Sequence, residues 1–510
     1  MQVLQNKRFY FLLSFIEGGS VMATELLGAK MLAPYFGSSL YVWATVLAIT
    51  LGGLASGYFA GGILSYRNKS KFTLFTVLLL AALFTVLMPF TSKLILWAIG
   101  MHSLLPSVIL SSGCILFPPV FMMGMVSPLI IGAITTDIKE SGRAAGAIYA
   151  ISTVGGIIAT FLFGFYIIPS YGLTIPAIAT GILLGIIPCI VLLMRKKLTQ
   201  TIGFFLLVAW ACSASEPRFS SEVKVVYNQE GLLGQLLVLD YPRYENNVKQ
   251  EGYARWLFVN RISQTMDDSL AMANHKDQRY FPYVYHISNY LDSFPKTTKV
   301  LLMGLGGGSI AKQLFDQGFS VDVCELDERI AYVARHYFHL NEKVNITVDD
   351  ARHYIRTCDK KYDVIVLDMF KGEEPPNHVF TREAMDELKL MLNKNGTVFV
   401  NGLGYYEGSI GKAMRSVYKT FGAAGFKVRA EATDKNPDMS NLLFYASLDS
   451  LKTNVPYLPE SKLDLNDAVV LTDDYPLLDK LNAEAAKRWR MLSINSFRED
   501  AGQYSLPIFN

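Results

Sequence analysis

The sequence predicts a multi-pass α-helical membrane domain, followed by a doubly wound α/β domain that begins with a small β unit. Hydrophobic residues make up 51% of the 510 residues and the mean hydropathy is +0.27, with most of the excess before about residue 215. After residue 300, strand patterns alternate with helix patterns, which is typical of a parallel sheet covered by helices. We therefore expect a membrane domain over 1–215, a β unit over 216–290 and an α/β domain over 291–510.

The membrane prediction rests on apolar runs long enough to cross a bilayer, which takes about 20 residues. These runs lie near 9–34, 40–65, 72–92, 108–134, 144–168 and 173–194, with a shorter one at 199–214. The first run is too long and too weakly basic at its start for a cleaved signal peptide. Alternate connections carry clusters of basic residues and are expected to be cytoplasmic: Lys7, Arg8, Arg67, Lys69, Lys71, Lys139, Arg143, Arg195, Lys196 and Lys197.

Two acidic residues lie inside the first apolar run. Glu17 and Glu25 are expected about two turns apart on one face of the helix. Charged groups in hydrocarbon are costly and usually line a cavity or meet a cation, and Lys30 is a candidate partner for Glu25. The alternative is an interfacial charge near a helix end.

The next part of the chain begins near residue 218 with short strand patterns. The stretches 223–227, 234–240 and 256–262 alternate or run apolar, and turn residues separate them. They predict a small antiparallel β unit ahead of the α/β domain.

The stretch from Val300 to Asp327 reads as strand, glycine turn, helix and second strand. After the apolar strand 300–303 come Gly304, Gly306, Gly307 and Gly308, which permit positive φ and let a ligand approach the backbone. The helix that begins at Ile310 directs its first N–H groups at the turn. Glu325 ends the second strand, where nucleotide-binding α/β units place a carboxylate on ribose hydroxyls. The pattern predicts a nucleoside site; the alternative is a tight turn with a solvated Glu325.

Two later strands also end in acidic residues. Helices are expected over 328–338 and 384–392, and a turn at Asn395–Gly396 leads into a strand over 397–401. Asp350 follows the strand 344–348, and Asp368 follows the strand 362–367. Because ligands of doubly wound sheets bind at the carboxyl ends of strands, we expect these acids and Glu325 to converge on one crevice.

These residues resemble the spermidine synthase (polyamine aminopropyltransferase) family, whose fold is that of S-adenosylmethionine-dependent methyltransferases. The resemblance covers about residues 225 to 450 and is strongest in VCELDERIAYVARHYF, DDARHYI and KYDVIVLD. The membrane part contains EGGSVMATELLGAKMLAPYFGSSLYVW, and the chain later contains LTDDYPLL. Both segments resemble the membrane-fused bacterial subgroup of the family.

The resemblance implies transfer of an aminopropyl group from decarboxylated S-adenosylmethionine to an amine such as putrescine. In that reaction Asp368 would orient and deprotonate the amine, Glu325 would hold the ribose, and Asp350 with Ala351 would meet the adenine amino group. It also implies that the nucleoside contacts Gln235, Gly304, Gly306 and Gly308, and that the acceptor contacts Gln264 and the gate-loop Tyr283. A membrane-bound methyltransferase using ordinary S-adenosylmethionine, and a transporter or sensor with a nucleoside-binding domain, are the alternatives.

The sequence departs from the family at positions that would bind a polycation. Gly307 stands where the family has an aspartate, and Lys371 stands where a second acid is expected after Asp368. Other acids are candidate substitutes: Asp267, Asp268, Glu373 and Glu374. Otherwise the acceptor is an amine other than putrescine.

The net charge and the cysteine pattern limit the partners and cofactors that the sequence predicts. The net charge of +3 is too small to indicate nucleic acid. The five scattered cysteines, without a CxxC pair, indicate neither a disulfide framework nor a metal site. We expect a small-molecule amine and the lipid bilayer as partners and no permanently bound cofactor, and a homo-oligomer is compatible with the sequence.

The predicted location is the bacterial inner membrane, with the chain passing through it several times. If 199–214 crosses the bilayer, the α/β domain lies outside the cytoplasm. If that run is re-entrant or interfacial, or if 93–107 contains another span around Lys93, the domain lies inside. Because nucleoside cosubstrates are made inside the cell, we expect the catalytic domain to be cytoplasmic.

Overall fold

The computed structural model describes most of the chain as two compact units. The described residues are 6–37, 40–67, 72–99, 104–135, 141–214, 222–231, 233–245, 248–268, 279–370, 374–475 and 477–504. The first unit comprises Met1–Ser220, Asn228–Gln235 and Asp500–Asn510. The second unit comprises Ser221–Tyr227 and Leu236–Glu499.

The first unit is helical. Its helices are α1 (Lys7–Phe36), α2 (Leu40–Arg67), α3 (Phe72–Ile99), α4 (Leu104–Gly124), α5 (Val126–Ile134), α6 (Ser141–Leu162), α7 (Ile168–Tyr171), α8 (Thr174–Met194) and α9 (Leu198–Ala214). Within the described ranges, six helical runs are long and apolar enough to cross a membrane, α4 with α5 and α6 with α7 each counting as one run. The apolar helix α9 is shorter, at 17 residues. The prediction of a helical domain with several membrane-crossing lengths is thereby confirmed.

Glycines allow the helices of this unit to approach backbone to backbone. A Cβ placed on Gly57 in α2 would lie 2.4 Å from the carbonyl oxygen of Phe121 in α4. A Cβ on Gly18 in α1 would lie 2.1 Å from the carbonyl oxygen of Ser152 in α6. Because no side chain fits at these distances, the two helix pairs depend on glycine for their close packing.

A four-stranded antiparallel sheet precedes the α/β domain. Its strands are β1 (Lys224–Gln229), β2 (Leu236–Glu245), β3 (Val248–Val259) and β4 (Ile262–Asp268), in that spatial order. The single strand predicted over 256–262 is wrong, because the chain turns at Asn260 and Arg261, whose φ angles are 48° and 70°. Positive φ at both central residues is the geometry of a tight two-residue hairpin. The turn creates β4, a strand that the sequence patterns did not reveal.

The α/β domain contains a seven-stranded sheet. Its strands are β5 (Lys299–Met303), β6 (Ser320–Glu325), β7 (Asn345–Val348), β8 (Tyr362–Leu367), β9 (Leu392–Leu403), β10 (Lys427–Ala432) and β11 (Asn441–Ser447). The spatial order is β10-β11-β9-β8-β5-β6-β7, parallel from β9 to β7 and antiparallel at β10 and β11. This order confirms the predicted doubly wound, mostly parallel sheet.

Helices and apolar side chains cover both faces of this sheet. The helices are α10 (Pro282–Leu291), α11 (Ser309–Asp316), α12 (Glu328–Tyr337), α13 (Ala351–Thr357), α14 (Arg382–Leu390), α15 (Lys412–Ala423) and α16 (Leu478–Tyr504). Along β5, Leu301 and Met303 join the core on one face, while Val300 and Leu302 join the core on the other. A strand buried on both faces must be apolar at every position, which is why 300–303 reads as an unbroken apolar run.

The start of β9 differs from the prediction. The strand begins at Leu392 rather than at 397, and Asn395, inside it, has a φ of 61°. Tyr362 of β8 pairs with Leu392, whereas Val364 pairs with Thr397, so β9 has extra residues at this point. The predicted Asn–Gly turn is therefore a bulge within the strand.

We expect residues 218–510, expressed without the rest of the chain, to give a soluble protein that unfolds cooperatively. The physical reason is that both cores of the α/β domain are built from residues after 225. Circular dichroism and size-exclusion chromatography in detergent-free buffer would measure this. Aggregation that only lipid reverses would contradict an independent domain.

Candidate active site

The candidate site lies where the strand order of the large sheet reverses. From β5 the chain proceeds through β6 and β7 on one side, and through β8 and β9 on the other. Gly304 follows β5 and donates its N–H to the carbonyl of Cys324 at 2.8 Å, while the Asp368 N–H donates to the carbonyl of Met303 at 2.8 Å. A Cβ on Gly304 would lie 2.0 Å from the Asp368 carbonyl oxygen. Glycine at 304 therefore lets the two strand ends meet at the switch point, where doubly wound sheets bind ligands.

The glycine turn has the backbone that its sequence predicts. Gly304, Gly306 and Gly308 have φ angles of +86°, +54° and +84°, a region that favours glycine, and Gly308 precedes the first residue of α11. The Gly307 N–H donates to Thr265 Oγ1 at 2.7 Å, and a Cβ on Gly307 would lie 2.6 Å from Thr265 Cγ2. Thr265 thus occupies the space that an aspartate at 307 would need.

Glu325 ends β6 beside this turn, and its side chain is buried. Its Oε2 accepts the Leu305 N–H and its Oε1 accepts the Asp327 N–H, each at 2.9 Å. Burial raises the pKa of the Glu325 carboxyl to about 7, although the backbone N–H donors favour the ionised form. The carboxylate is held rigidly and retains lone pairs for additional donors.

Asp350 forms the N-terminal cap of α13, of which Ala351 is the first residue. Asp350 Oδ1 accepts the N–H groups of Arg352 and His353 at 2.9 and 3.1 Å, and Oδ2 lies 2.9 Å from His378 Nε2. Burial opposes ionisation, but the hydrogen bonds from His353 and His378 outweigh it, so the pKa of Asp350 is lowered. Asp350 therefore stays ionised at neutral pH.

Asp368 follows β8 directly and is half-buried. Its Oδ1 accepts a hydrogen bond from Asn401 Nδ2 at 2.8 Å, and its carboxyl is also hydrogen-bonded to the Tyr283 hydroxyl. Burial raises the pKa of Asp368 to about 6 against the effect of both hydrogen bonds. Tyr283 lies in the first turn of α10, a helix rather than the predicted gate loop.

Asn401 is a site residue that the sequence analysis did not identify. It is buried in β9, and among the described residues its Oδ1 has no hydrogen-bond partner, although its Nδ2 contacts Asp368. A buried carbonyl oxygen without a donor is costly, so it is suited to accept an N–H from a ligand at Asp368. It could have been found by the rule that selected Asp368, because it ends the predicted strand 397–401.

Arg352 is the second residue that the sequence analysis missed. It is buried one residue after Ala351 and binds Glu387 through two nitrogens, at 2.5 and 3.0 Å. Its Nη2 also donates to Oδ2 of Asp473 at 3.0 Å, and Asp473 lies within the segment LTDDYPLL. The late segment is thus tied to the helix that carries Asp350, which gives it a structural role beside the site.

Gln264 and Gln235 are the remaining residues that the sequence predicts to lie in the site. Gln264 lies in β4 and donates to the Ser263 carbonyl at 3.2 Å, next to the Thr265 that contacts the turn. Buried Gln235 donates to Asn228 Oδ1 at 2.9 Å, and both belong to the stretch grouped with the first unit, so its role stays a prediction.

Two of the candidate substitute acids are paired with arginines. Asp267 forms an ion pair with Arg279, and Asp268 forms one with Arg243. Lys371 and Glu373 lie outside the described residues.

Known proteins resemble this part of the chain. Residues 278–420 match the family model described as the spermine/spermidine synthase domain. The polyamine aminopropyltransferase of Vibrio vulnificus is 27% identical over 299 residues, which are 56% of this chain and 94% of that protein. The polyamine aminopropyltransferase of Thermoplasma volcanium is 26% identical over 149 residues, 27% of this chain and 53% of that protein.

Two further matches are a methyltransferase and a solved structure. The N-terminal histidine N-methyltransferase of Emericella nidulans is 27% identical over 156 residues, 29% of this chain and 28% of that protein. The spermidine synthase structure from Thermotoga maritima has 17% identity and a TM-score of 0.34, covering 53% of this chain and 96% of that one. The fold assignment rests on the strand order described above rather than on this likeness. Residues 278–420 are thus similar to the spermine/spermidine synthase domain.

Proposed function

We propose that the α/β domain is an aminopropyltransferase that moves an aminopropyl group from decarboxylated S-adenosylmethionine to an amine such as putrescine. The observation that carries the proposal is the position of Asp368: a carboxylate at the switch point, beside a glycine turn, with a pKa of about 6. The family match and the aminopropyltransferase relatives support the same reaction.

The nucleoside end of the proposed site follows the sheet edge. Adjacent strands are about 4.8 Å apart, so the ends of β7, β6, β5 and β8 span roughly 14 Å. In this proposal Asp350 meets the adenine, Glu325 accepts the ribose hydroxyls, and the positive-φ turn lets the backbone approach the nucleoside. The reactive sulfonium arm then points along the edge towards Asp368.

The chemical step needs an unprotonated amine. Its nitrogen lone pair attacks the methylene carbon bonded to the sulfonium, the carbon–sulfur bond breaks, and the bonding pair leaves with sulfur as the thioether methylthioadenosine. The proton released by the new ammonium passes to Asp368. A base with a pKa of about 6 is ionised at neutral pH, and its pKa is close enough to the working pH for general-base catalysis. Asn401 and Tyr283 hold the carboxylate in one orientation.

We further propose that this site faces the cytoplasm of a bacterium. Six crossings return the chain to the side of its N-terminus, where Lys7 and Arg8 favour the cytoplasm. At about 1.5 Å per residue, the 17 residues of α9 span roughly 25 Å, less than the hydrocarbon thickness of about 30 Å. The short length supports an interfacial rather than a crossing α9.

Replacing the proposed base tests the catalytic assignment. Asp368→Asn keeps the shape of the side chain but removes the charge and the proton acceptor, so aminopropyl transfer should fall by about 10²- to 10⁴-fold. The wild-type kcat/KM should rise as the pH rises through about 6, because Asp368 ionises there, and the variant should lack this rise. Initial rates of methylthioadenosine release would measure both effects.

The matched control for this test is the exposed Asp359→Asn, which should retain the wild-type rate. A folded Asp368→Asn protein with a near wild-type rate would remove the base from the proposed mechanism.

Replacing the ribose acceptor tests the nucleoside end. Glu325→Ala should weaken methylthioadenosine binding by about 1–3 kcal/mol, because it removes hydrogen bonds to an ionised carboxylate. Wild-type affinity should also fall as the pH drops through about 7, where Glu325 takes up a proton and loses an acceptor. Titration calorimetry on both proteins, with the exposed Glu328→Ala as control, measures this. Equal affinities for wild type and Glu325→Ala would place the ribose elsewhere.

A further inference from the structure

Glu17 is a buried carboxylate deep inside the first unit. It is 2% exposed, and its Oε2 accepts a hydrogen bond from Ser152 Oγ of α6 at 3.2 Å. Its position ten residues after the start of α1 is about 15 Å along the helix, roughly half the hydrocarbon thickness. This depth argues against an interfacial charge near a helix end. Among the described residues, no basic side chain pairs with Glu17.

The surrounding helices hold this carboxylate in place. On either side of Glu17, α1 and α6 touch at the backbone: the Ser14 hydroxyl donates to the Ile148 carbonyl at 3.0 Å, and a Cβ on Gly18 would lie 2.1 Å from the Ser152 carbonyl oxygen. The backbones leave no freedom to slide or separate without losing these contacts. These contacts hold α1 against α6 on both sides of Glu17.

An aromatic ring lies near the carboxylate. Tyr58 of α2 is close enough to Glu17 to interact with its charge. The ring of Tyr58 packs edge to face on Tyr149 of α6, with centroids 5.9 Å apart at 81°. A carboxylate next to aromatic rings is the chemistry that binds ammonium groups, through charge pairing and cation–π attraction.

A second polar group without a partner lies on the same face of α1. Thr24 is seven residues after Glu17, which places the two about 20° apart around the helix. Thr24 is fully buried, and among the described residues its Oγ1 has no hydrogen-bond partner. By contrast, the Ser20 hydroxyl between them donates to the Ile16 carbonyl at 2.8 Å. A buried hydroxyl left unbonded costs free energy that a ligand N–H donor would recover.

We propose that the first unit binds an organic ammonium group at Glu17, with Ser152 holding the carboxylate and Tyr58 beside it. A metal ion fits less well, because it requires several oxygen ligands and the described residues include no cluster of metal-ligating side chains. The choice of a polyamine as the carrier of the ammonium rests on the function proposed above. If the ammonium group belongs to a polyamine, the first unit binds the product of the reaction proposed for the α/β domain.

Equilibrium dialysis of the full-length protein in detergent against radiolabelled spermidine tests the site. With no nucleoside present, no transfer occurs, and about 0.15 M NaCl screens non-specific charge attraction. Glu17→Gln should bind one spermidine fewer per chain than wild type. The exposed Glu251→Gln, which removes the same charge from a surface strand, should bind as many as wild type.

A second variant separates the site from misfolding. Tyr58→Leu removes a ring but no charge, so it should keep the number of bound spermidines and weaken one of them by about two- to thirtyfold. Equal spermidine counts in wild type and Glu17→Gln, or unchanged affinity in Tyr58→Leu, would overturn the proposal. If the α/β domain were not a transferase and bound no polyamine, wild type and Glu17→Gln would each bind fewer spermidines, by the same number. The difference of one spermidine per chain between the two proteins would persist.

Discussion

The close approach of Gly304 to the carbonyl of Asp368 governs the geometry of the α/β domain. The two residues follow β5 and β8, which adjoin where the chain reverses its order across the sheet. Since a Cβ at 304 would overlap that carbonyl, only glycine lets the strand ends meet. The contact places the positive-φ turn on one side of the crevice and the Asp368 carboxylate on the other. A ligand on the turn would therefore lie next to this carboxylate.

One of the two departures from the spermidine synthase pattern, Gly307, lies within the described residues. At Gly307 the structure supplies a reason, since Thr265 of β4 occupies the space of the missing side chain and accepts the Gly307 N–H. The turn is therefore held by the small β sheet rather than by an acid that would contact the acceptor amine. Asp267 and Asp268, two of the candidate substitute acids, are paired with arginines.

Local patterns predicted the α/β domain well because its signals are contiguous in sequence. The strand, glycine turn, helix and terminal acid of 300–327 are neighbours along the chain, and parallel strands bring Glu325, Asp350 and Asp368 to one edge. Thr265 and Arg352 could not be predicted in the same way, because their roles depend on partners far along the chain, such as Gly307 and Asp473. The strand β4 was missed because its hairpin uses Asn260 and Arg261, without a glycine to mark the turn.

We expect the crevice at the switch point to transfer an aminopropyl group. The most direct measurement is mass-spectrometric analysis of the products that the purified full-length protein forms from decarboxylated and from ordinary S-adenosylmethionine, each with a panel of amines. We expect methylthioadenosine and an amine enlarged by one aminopropyl group, from the decarboxylated cosubstrate only. S-adenosylhomocysteine with a methylated amine, formed from ordinary S-adenosylmethionine, would contradict it and identify a methyltransferase.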